Sequence, residues 1–128
     1  AVVNALGDVI DPHSGAIIAG ARSDEGFADT LRVMQQYQAQ LASAAANNTV
    51  IGVVATNAKL SKEEANKVAQ MAHDGLARAI RPAHTMYDGD TIFALSTGSV
   101  QSDVNLIGAI AAEVFAEAIV RGVRAAQT

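Results

Sequence analysis

The chain of 128 residues has the length of one domain, a net charge of −4 and no cysteine. Without cysteine it can form no disulfide and no thiolate zinc site, and without a run of Lys and Arg we expect no nucleic-acid partner. No apolar stretch reaches the roughly 20 residues that span a bilayer, so we expect no membrane partner and take the cytoplasm as the default location.

The first part of the chain predicts two strands followed by a helix. We expect one strand over residues 1–11 and a returning strand over 16–19, because Pro-His-Ser-Gly between them consists of residues that favour a turn. A helix should follow from Gly26 with Asp24 as its cap. Its apolar residues recur at helical spacing: Phe27, Leu31, Met34, Leu41 and Ala45.

The middle of the chain predicts a strand and a second helix. Residues 50–56 are apolar and rich in β-branched side chains, which indicates a strand buried on both faces. Ser61 and Glu64 have the spacing of a capping box, and Pro82 should end the helix that they begin. Its apolar stripe is Val68, Ala72, Leu76, Ala79 and Ile80.

The last part predicts a loop over residues 84–90, a strand over 91–97 and a helix that starts near Ser102 or Asp103. We expect the apolar face of this helix to consist of Leu106, Ile110, Val114, Ile119 and Val123. The alternation of strands and helices after Thr49 predicts an α/β fold in which helices cover a sheet.

Thr49 stands at the start of the strand predicted over residues 50–56, directly after Asn48. A cut between these two residues would free an α-amine whose pKa is about 7.7–8.0 on the same residue as the hydroxyl, and this amine could serve as its base. Two alternatives stay open. Asn-Asn-Thr could simply be the polar end of a loop before a strand, or it could be an Asn-x-Thr glycosylation acceptor, for which the sequence has no secretory context.

Three other polar residues are candidates for chemistry. Asp88 and Asp90 flank a glycine, so an extended backbone would direct both carboxylates to one side, where they could hold an ammonium group, a hydroxyl or a cation, or share a proton. A solvated turn explains the same residues. Asn4 interrupts an apolar strand, and its buried amide could stabilise an oxyanion or be satisfied by backbone. The three histidines match no metal motif, and we expect structural roles for them.

These motifs together resemble a known family. The segment from Asn47 to Gly98, with HDGLARAI, RPAHT and DGDTIFA, is similar to the DmpA-like L-aminopeptidase/D-esterase (D-amidase) family, which includes β-peptide aminopeptidases. Nylon-oligomer endo-hydrolases, which mature at an Asn-Thr bond, are similar too. The opening AVVNALGDVIDPHSG resembles the strand that precedes the cleavage loop in that family, so the resemblance spans nearly the whole chain.

The resemblance implies part of a four-layer αββα sandwich like that of N-terminal-nucleophile hydrolases, cut autocatalytically from a precursor. Residues 1–128 would be one domain, the C-terminal part of that precursor, in which 1–48 end the α chain and 49–128 form the β chain. Thr49 would be the nucleophile of an amide hydrolase and Asn4 the oxyanion donor, while Asp88 and Asp90 would orient the nucleophile and its amine.

The resemblance also implies partners and substrates. The missing N-terminal part of the α chain would complete the pocket for a small peptide, an amino-acid amide or an amide oligomer, and the αβ units would form homo-oligomers. No cofactor or metal is implied. Two other readings stay open: an acyltransferase like the ornithine acetyltransferases, whose Lys-Gly-Ala lead-in differs from Asn47-Asn48 here, and a non-catalytic subunit.

Overall fold

A computed structural model describes residues 1–37 and 48–127. The strands are β1 (Val2–Asn4), β2 (Asp8–Ile10), β3 (Ile17–Ala19), β4 (Arg22–Ser23), β5 (Gly26–Phe27), β6 (Thr49–Ala58), β7 (Ile80–Arg81) and β8 (Thr91–Val100). The helices are α1 (Thr30–Gln36), α2 (Lys62–Ala79) and α3 (Val104–Ala126). The predicted mixed α/β fold class is confirmed.

The main sheet has the order β1-β6-β8. Strand β8 runs parallel to β6, and helix α2 lies between them in the chain, as a parallel pair requires a crossover connection. Strand β1 pairs antiparallel with the first residues of β6. The start of β6 therefore lies between two strands that come from distant parts of the sequence.

Helix α2 forms as its sequence predicts. The Ser61 side chain accepts a hydrogen bond from the Glu64 N–H, and the Glu64 carboxylate accepts one from the Ser61 N–H, so the capping box is confirmed. The helix ends at Ala79, ahead of Pro82. The predicted stripe is buried: Val68, Ala72, Leu76, Ala79 and Ile80.

Helices α2 and α3 cover one face of the main sheet and approach each other closely through small residues. A Cβ on Gly75 would collide with the Ala112 carbonyl oxygen of α3, and one on Gly108 would collide with the Met71 sulfur of α2. Beneath them, a Cβ on Gly52 would collide with the Phe115 ring. Glycine at these three positions thus allows the two helices and the sheet to approach closely.

Two predictions about burial are wrong. Strand β6 is covered on one face only, because its side chains alternate between the helices and an open face. On α3, Leu106, Ile110 and Val114 are exposed rather than buried. The buried side instead combines small residues, which let α2 approach, with three larger ones: Gly108, Ala111, Ala112, Phe115, Ala116, Ile119 and Val120.

The first 37 residues also differ from the prediction. The single strand expected over residues 1–11 is divided into β1 and β2, which belong to different sheets, whereas the returning strand β3 is confirmed. Helix α1 begins at Thr30 with Asp29 as its cap, because β4 and β5 form a hairpin around Asp24. Leu41 and Ala45 of the predicted helix lie outside the described residues.

A buried carboxylate anchors the start of α1. Asp8 of β2 is 0% exposed, and it accepts hydrogen bonds from the Thr30 N–H at 2.6 Å and from the Thr30 hydroxyl at 2.9 Å. Because Thr30 is the first residue of α1, these bonds tie the helix to the small sheet of order β3-β2-β7.

The face of the main sheet opposite the helices is open and apolar within the described residues. Val53 is 57% exposed and Phe93 59% exposed, and Ile51 and Leu95 lie on the same face. None of the helices in the described part of the chain is long and apolar enough to cross a membrane.

Candidate active site

Thr49 is the first residue of β6, and its hydroxyl lies beside the preceding peptide carbonyl. Oγ1 donates a hydrogen bond to the Asn48 carbonyl oxygen at 2.6 Å. The same oxygen accepts the Gly89 N–H at 3.0 Å. The carbonyl of the bond that we expect to be cut therefore has two donors, one of them the expected nucleophile.

Asn4 lies directly opposite Thr49 in the β1–β6 register. Directly opposite residues of an antiparallel pair face the same side, with Cβ atoms about 4.5–5.5 Å apart. Asn4 is exposed at the end of β1, not buried within a strand as predicted, because β1 stops there. The two candidates, 45 positions apart in the sequence, are thus neighbours on the open face.

Asp90 is bound to the backbone next to Thr49. Its side chain is only 6% exposed, and Oδ1 accepts the Val50 N–H at 2.8 Å. Oδ2 lies 3.8 Å from His84 Nδ1. This carboxylate therefore lies one residue away from the nitrogen that cleavage at Asn48 would convert into an amine.

Asp88 is held by the loop that leads to β8. Its Oδ2 accepts hydrogen bonds from the Thr85 N–H and the Thr85 hydroxyl, both at 2.8 Å. The backbone of Asp88 forms a parallel bridge with Asn48. The hydrogen bonds found for the two carboxylates thus go to Val50 and Thr85. Asp90 positions the backbone that follows Thr49 and Asp88 positions the loop before β8, and neither of these bonds goes to the Thr49 hydroxyl.

His84, for which the sequence predicts only a structural role, lies beside Asp90 at the edge of the candidate site. Its φ is 57°, an unusual conformation for a residue other than glycine, and its ring lies 5.2 Å from that of His73. Nε2 is 3.3 Å from the His73 carbonyl oxygen. Burial, followed by the charge of nearby His84, lowers the pKa of His73.

Sequence reasoning missed Thr85, His84 and Gly89 as members of the site. The RPAHT and DGD motifs that carry the family resemblance contain all three, so the motifs pointed to the segment but not to the roles. Within residues 1–37 and 48–127, no three His, Asp or Glu side chains converge as a metal-ion site would require.

Residues 13–128 match the profile of Peptidase family S58. A relative from Mycobacterium leprae, named an uncharacterized aminopeptidase, is 43% identical over 147 residues, which cover 99% of this chain and 40% of the relative. Another of that name, from Mycobacterium tuberculosis, is 39% identical over 148 residues, covering 99% of this chain and 43% of the relative. A 6-aminohexanoate-oligomer endohydrolase from Kocuria sp. is 32% identical over 113 residues, covering 78% of this chain and 29% of that enzyme.

The chain thus spans less than half the length of these relatives. The similarity nevertheless extends across both sides of the Asn48–Thr49 bond and includes the Asp-Gly-Asp segment. The resemblance predicted from the sequence motifs is confirmed: the chain belongs to Peptidase family S58, the DmpA-like family.

Proposed function

We propose that this chain carries the catalytic residues of a self-processing amide hydrolase with Thr49 as its nucleophile. The observation that carries the proposal is the 2.6 Å hydrogen bond from Thr49 Oγ1 to the Asn48 carbonyl oxygen. It brings the hydroxyl to the one peptide bond whose cleavage would make Thr49 an N-terminal residue. The names of the relatives, aminopeptidase and oligomer endohydrolase, support an enzyme that acts on amide bonds.

Self-cleavage requires no co-reactant other than water. The Thr49 oxygen attacks the Asn48 carbonyl carbon, the C–N bond to Thr49 breaks, and the hydroxyl proton ends on the departing amine. Water then hydrolyses the resulting ester, which leaves a carboxylate on Asn48 and restores the Thr49 hydroxyl. The products are an α chain ending at residue 48 and a β chain beginning at residue 49.

The mature β chain would use the same hydroxyl on a substrate amide. The freed amine of Thr49, with an ordinary pKa of about 7.7–8.0, takes the hydroxyl proton near neutral pH and delivers it to the leaving amine. Asn4, directly across from Thr49 on the open face, is suited to donate its amide N–H to the oxyanion. Water then releases the acyl group. Asp90 and Asp88 hold the backbone around this residue and add negative charge near the amine.

The remainder of a longer precursor would complete the enzyme. The exposed apolar side chains of the open face, among them Val53 and Phe93, are suited to pack against the second sheet of a four-layer αββα sandwich. That part would also supply most of the substrate pocket. The substrate class is therefore a small peptide, an amino-acid amide or an amide oligomer, and the choice among them depends on residues beyond this chain.

The proposed homo-oligomer has a candidate surface on α3. Leu106, Ile110 and Val114 follow one another at four-residue intervals and are all exposed. We expect the processed protein to be larger than one αβ unit in light scattering. An Ile110→Lys variant should shift it toward the single unit, and a single unit in the parent protein would contradict the proposal.

The function is tested with the full-length precursor and two variants. Intact mass should reveal a fragment that begins at Thr49, whereas Thr49→Ala should remain whole. Asn4→Ala in the processed enzyme should lower kcat on an aminoacyl amide by about 10²–10³-fold, as expected for one lost oxyanion donor. A folded parent precursor that remains uncut would refute self-processing, and release of the acyl group only to an added amine would indicate a transferase.

A further inference from the structure

The geometry points to a second catalytic group in the self-cleavage step: the backbone N–H of Gly89, acting as the oxyanion donor for the Asn48 carbonyl. This inference rests on the proposed role of Thr49 as the nucleophile. It names the group that would stabilise the negative charge that develops on the Asn48 carbonyl oxygen. It also explains why a glycine lies between the two aspartates.

The first observation is a hydrogen bond already formed in the uncut chain. The Gly89 N–H donates to the Asn48 carbonyl oxygen at 3.0 Å, close to the ideal distance for an N–H···O bond. As the Thr49 oxygen adds to the carbonyl carbon, negative charge develops on this oxygen. A donor that is already in position strengthens its interaction as the charge grows, which is how oxyanion holes accelerate acyl transfer.

The second observation is the space at Gly89. A Cβ on this residue would lie 2.9 Å from Thr49 Oγ1 and 3.7 Å from the Asn48 carbonyl oxygen. Any side chain here would therefore displace the nucleophile. The absence of a Cβ lets the backbone approach the carbonyl and the hydroxyl together, while Asp88 and Asp90 on either side hold that backbone through Thr85 and Val50.

The Gly89 N–H takes part in the step without transferring its own proton. The bond from Thr49 Oγ1 to the Asn48 carbonyl carbon forms, and the carbonyl π electrons move to the oxygen that Gly89 binds. When the tetrahedral intermediate collapses, these electrons return and the C–N bond breaks. The hydroxyl proton moves to the Thr49 nitrogen, so the step is balanced before water hydrolyses the ester.

The decisive experiment removes this one N–H from the full-length precursor. Glycolic acid in place of Gly89 converts the amide to an ester, which deletes the donor and adds no side chain. The matched control is the same replacement at Gly15, whose N–H also donates to a backbone carbonyl, that of Asp11 at 2.8 Å. Self-cleavage is followed by intact mass, and folding by the thermal transition.

We expect the replacement at Gly89 to slow self-cleavage by about 10²–10³-fold and the replacement at Gly15 to leave the rate within about twofold. Equal rates for the two would overturn the role of the Gly89 N–H. An uncut parent precursor would instead overturn the proposed function itself, so the two failures are distinguishable.

A second pair of variants decides the matter if the ester at position 89 prevents folding. Gly89→Ala keeps the N–H but crowds Thr49 Oγ1, whereas Gly122→Ala adds a methyl group where no atom lies within 4 Å. Cleavage of Gly89→Ala at least tenfold slower than that of Gly122→Ala would support the close approach of the Gly89 backbone, on which the assignment depends. Equal rates would show that this approach is not needed and would overturn the assignment.

Discussion

Replacing Gly75 with alanine tests whether backbone contact between α2 and α3 sets the position of the helices that support the site. The new Cβ would collide with the Ala112 carbonyl oxygen and would lie 2.8 Å from its carbonyl carbon and 3.0 Å from its Cα. Carbon and oxygen atoms in contact are normally about 3.5 Å apart, and all three atoms belong to the backbone. The helices must therefore separate by more than about 1 Å, because no side chain can rotate away.

The magnitude follows from two opposing contributions. Alanine is favoured over glycine by about 1 kcal/mol inside a helix, whereas overpacking a core costs about 1–3 kcal/mol. Because the collision is with backbone, we expect the upper end of that cost and a net loss of about 2 kcal/mol in the free energy of unfolding of Gly75→Ala. Urea unfolding monitored by far-UV circular dichroism measures it.

Gly122→Ala is the matched control, since it lies in α3 with no atom within 4 Å of the added methyl group. Here the helix preference acts alone, and we expect stabilisation by about 0.5–1 kcal/mol. A Gly75→Ala protein as stable as the parent would refute the inferred close packing. The same refutation follows if both variants change stability by the same amount.

Three further predictions concern the cap, the buried carboxylate and the histidine pair. Ser61→Ala should lower the free energy of unfolding by about 1 kcal/mol in urea titrations, because it removes the N-cap acceptor of α2; no loss would argue against the capping box. Thr30→Val should cost about 1–3 kcal/mol by leaving the Asp8 carboxylate short of a donor, and Thr30→Ser should retain most of the stability. Burial and the nearby His84 lower the pKa of His73 in the folded protein, so the unfolded chain binds this proton more readily. The contribution of His73 to the free energy of unfolding is therefore fully present above pH 6.5, its ordinary pKa, and is lost as the pH falls through the folded-state pKa. His73→Gln should therefore flatten the pH dependence of unfolding just below pH 6.5, and an unchanged slope there would contradict the assignment.

Features that depend on neighbours in sequence could be predicted from the sequence. The capping box joins residues three positions apart, and its two hydrogen bonds require only the local backbone of a helix start. The buried stripe of α2 could be predicted because Val68, Ala72 and Leu76 are spaced at helical intervals. Thr49, Asp88 and Asp90 were found because a family motif marks them, not because spacing alone distinguishes them from turn residues.

The buried face of α3 could not be predicted in the same way. Alanine occurs on every side of this helix, so hydropathy does not distinguish the face that meets α2 from the one that is exposed. Size contributes where Gly75 and Ala112 must allow two backbones to approach. Size does not decide alone, because Phe115 and Ile119 are buried whereas Leu106 and Ile110 are exposed. Which side of α3 is buried becomes clear only when the second helix is in position.

The starts of α2 and α3 and the segments of β6 and β8 could be predicted from the sequence, because capping hydrogen bonds and periodicity within a few residues carry that information. The candidate nucleophile was identified through a family motif. Two contacts of the site depend instead on the packing of distant segments: Asn4 lies across from Thr49, and the Gly89 N–H binds the Asn48 carbonyl. These pairs are separated by about 40 residues or more in the chain. They meet because β1 and the loop before β8 flank the start of β6, and that pairing depends on register between strands rather than on local preference.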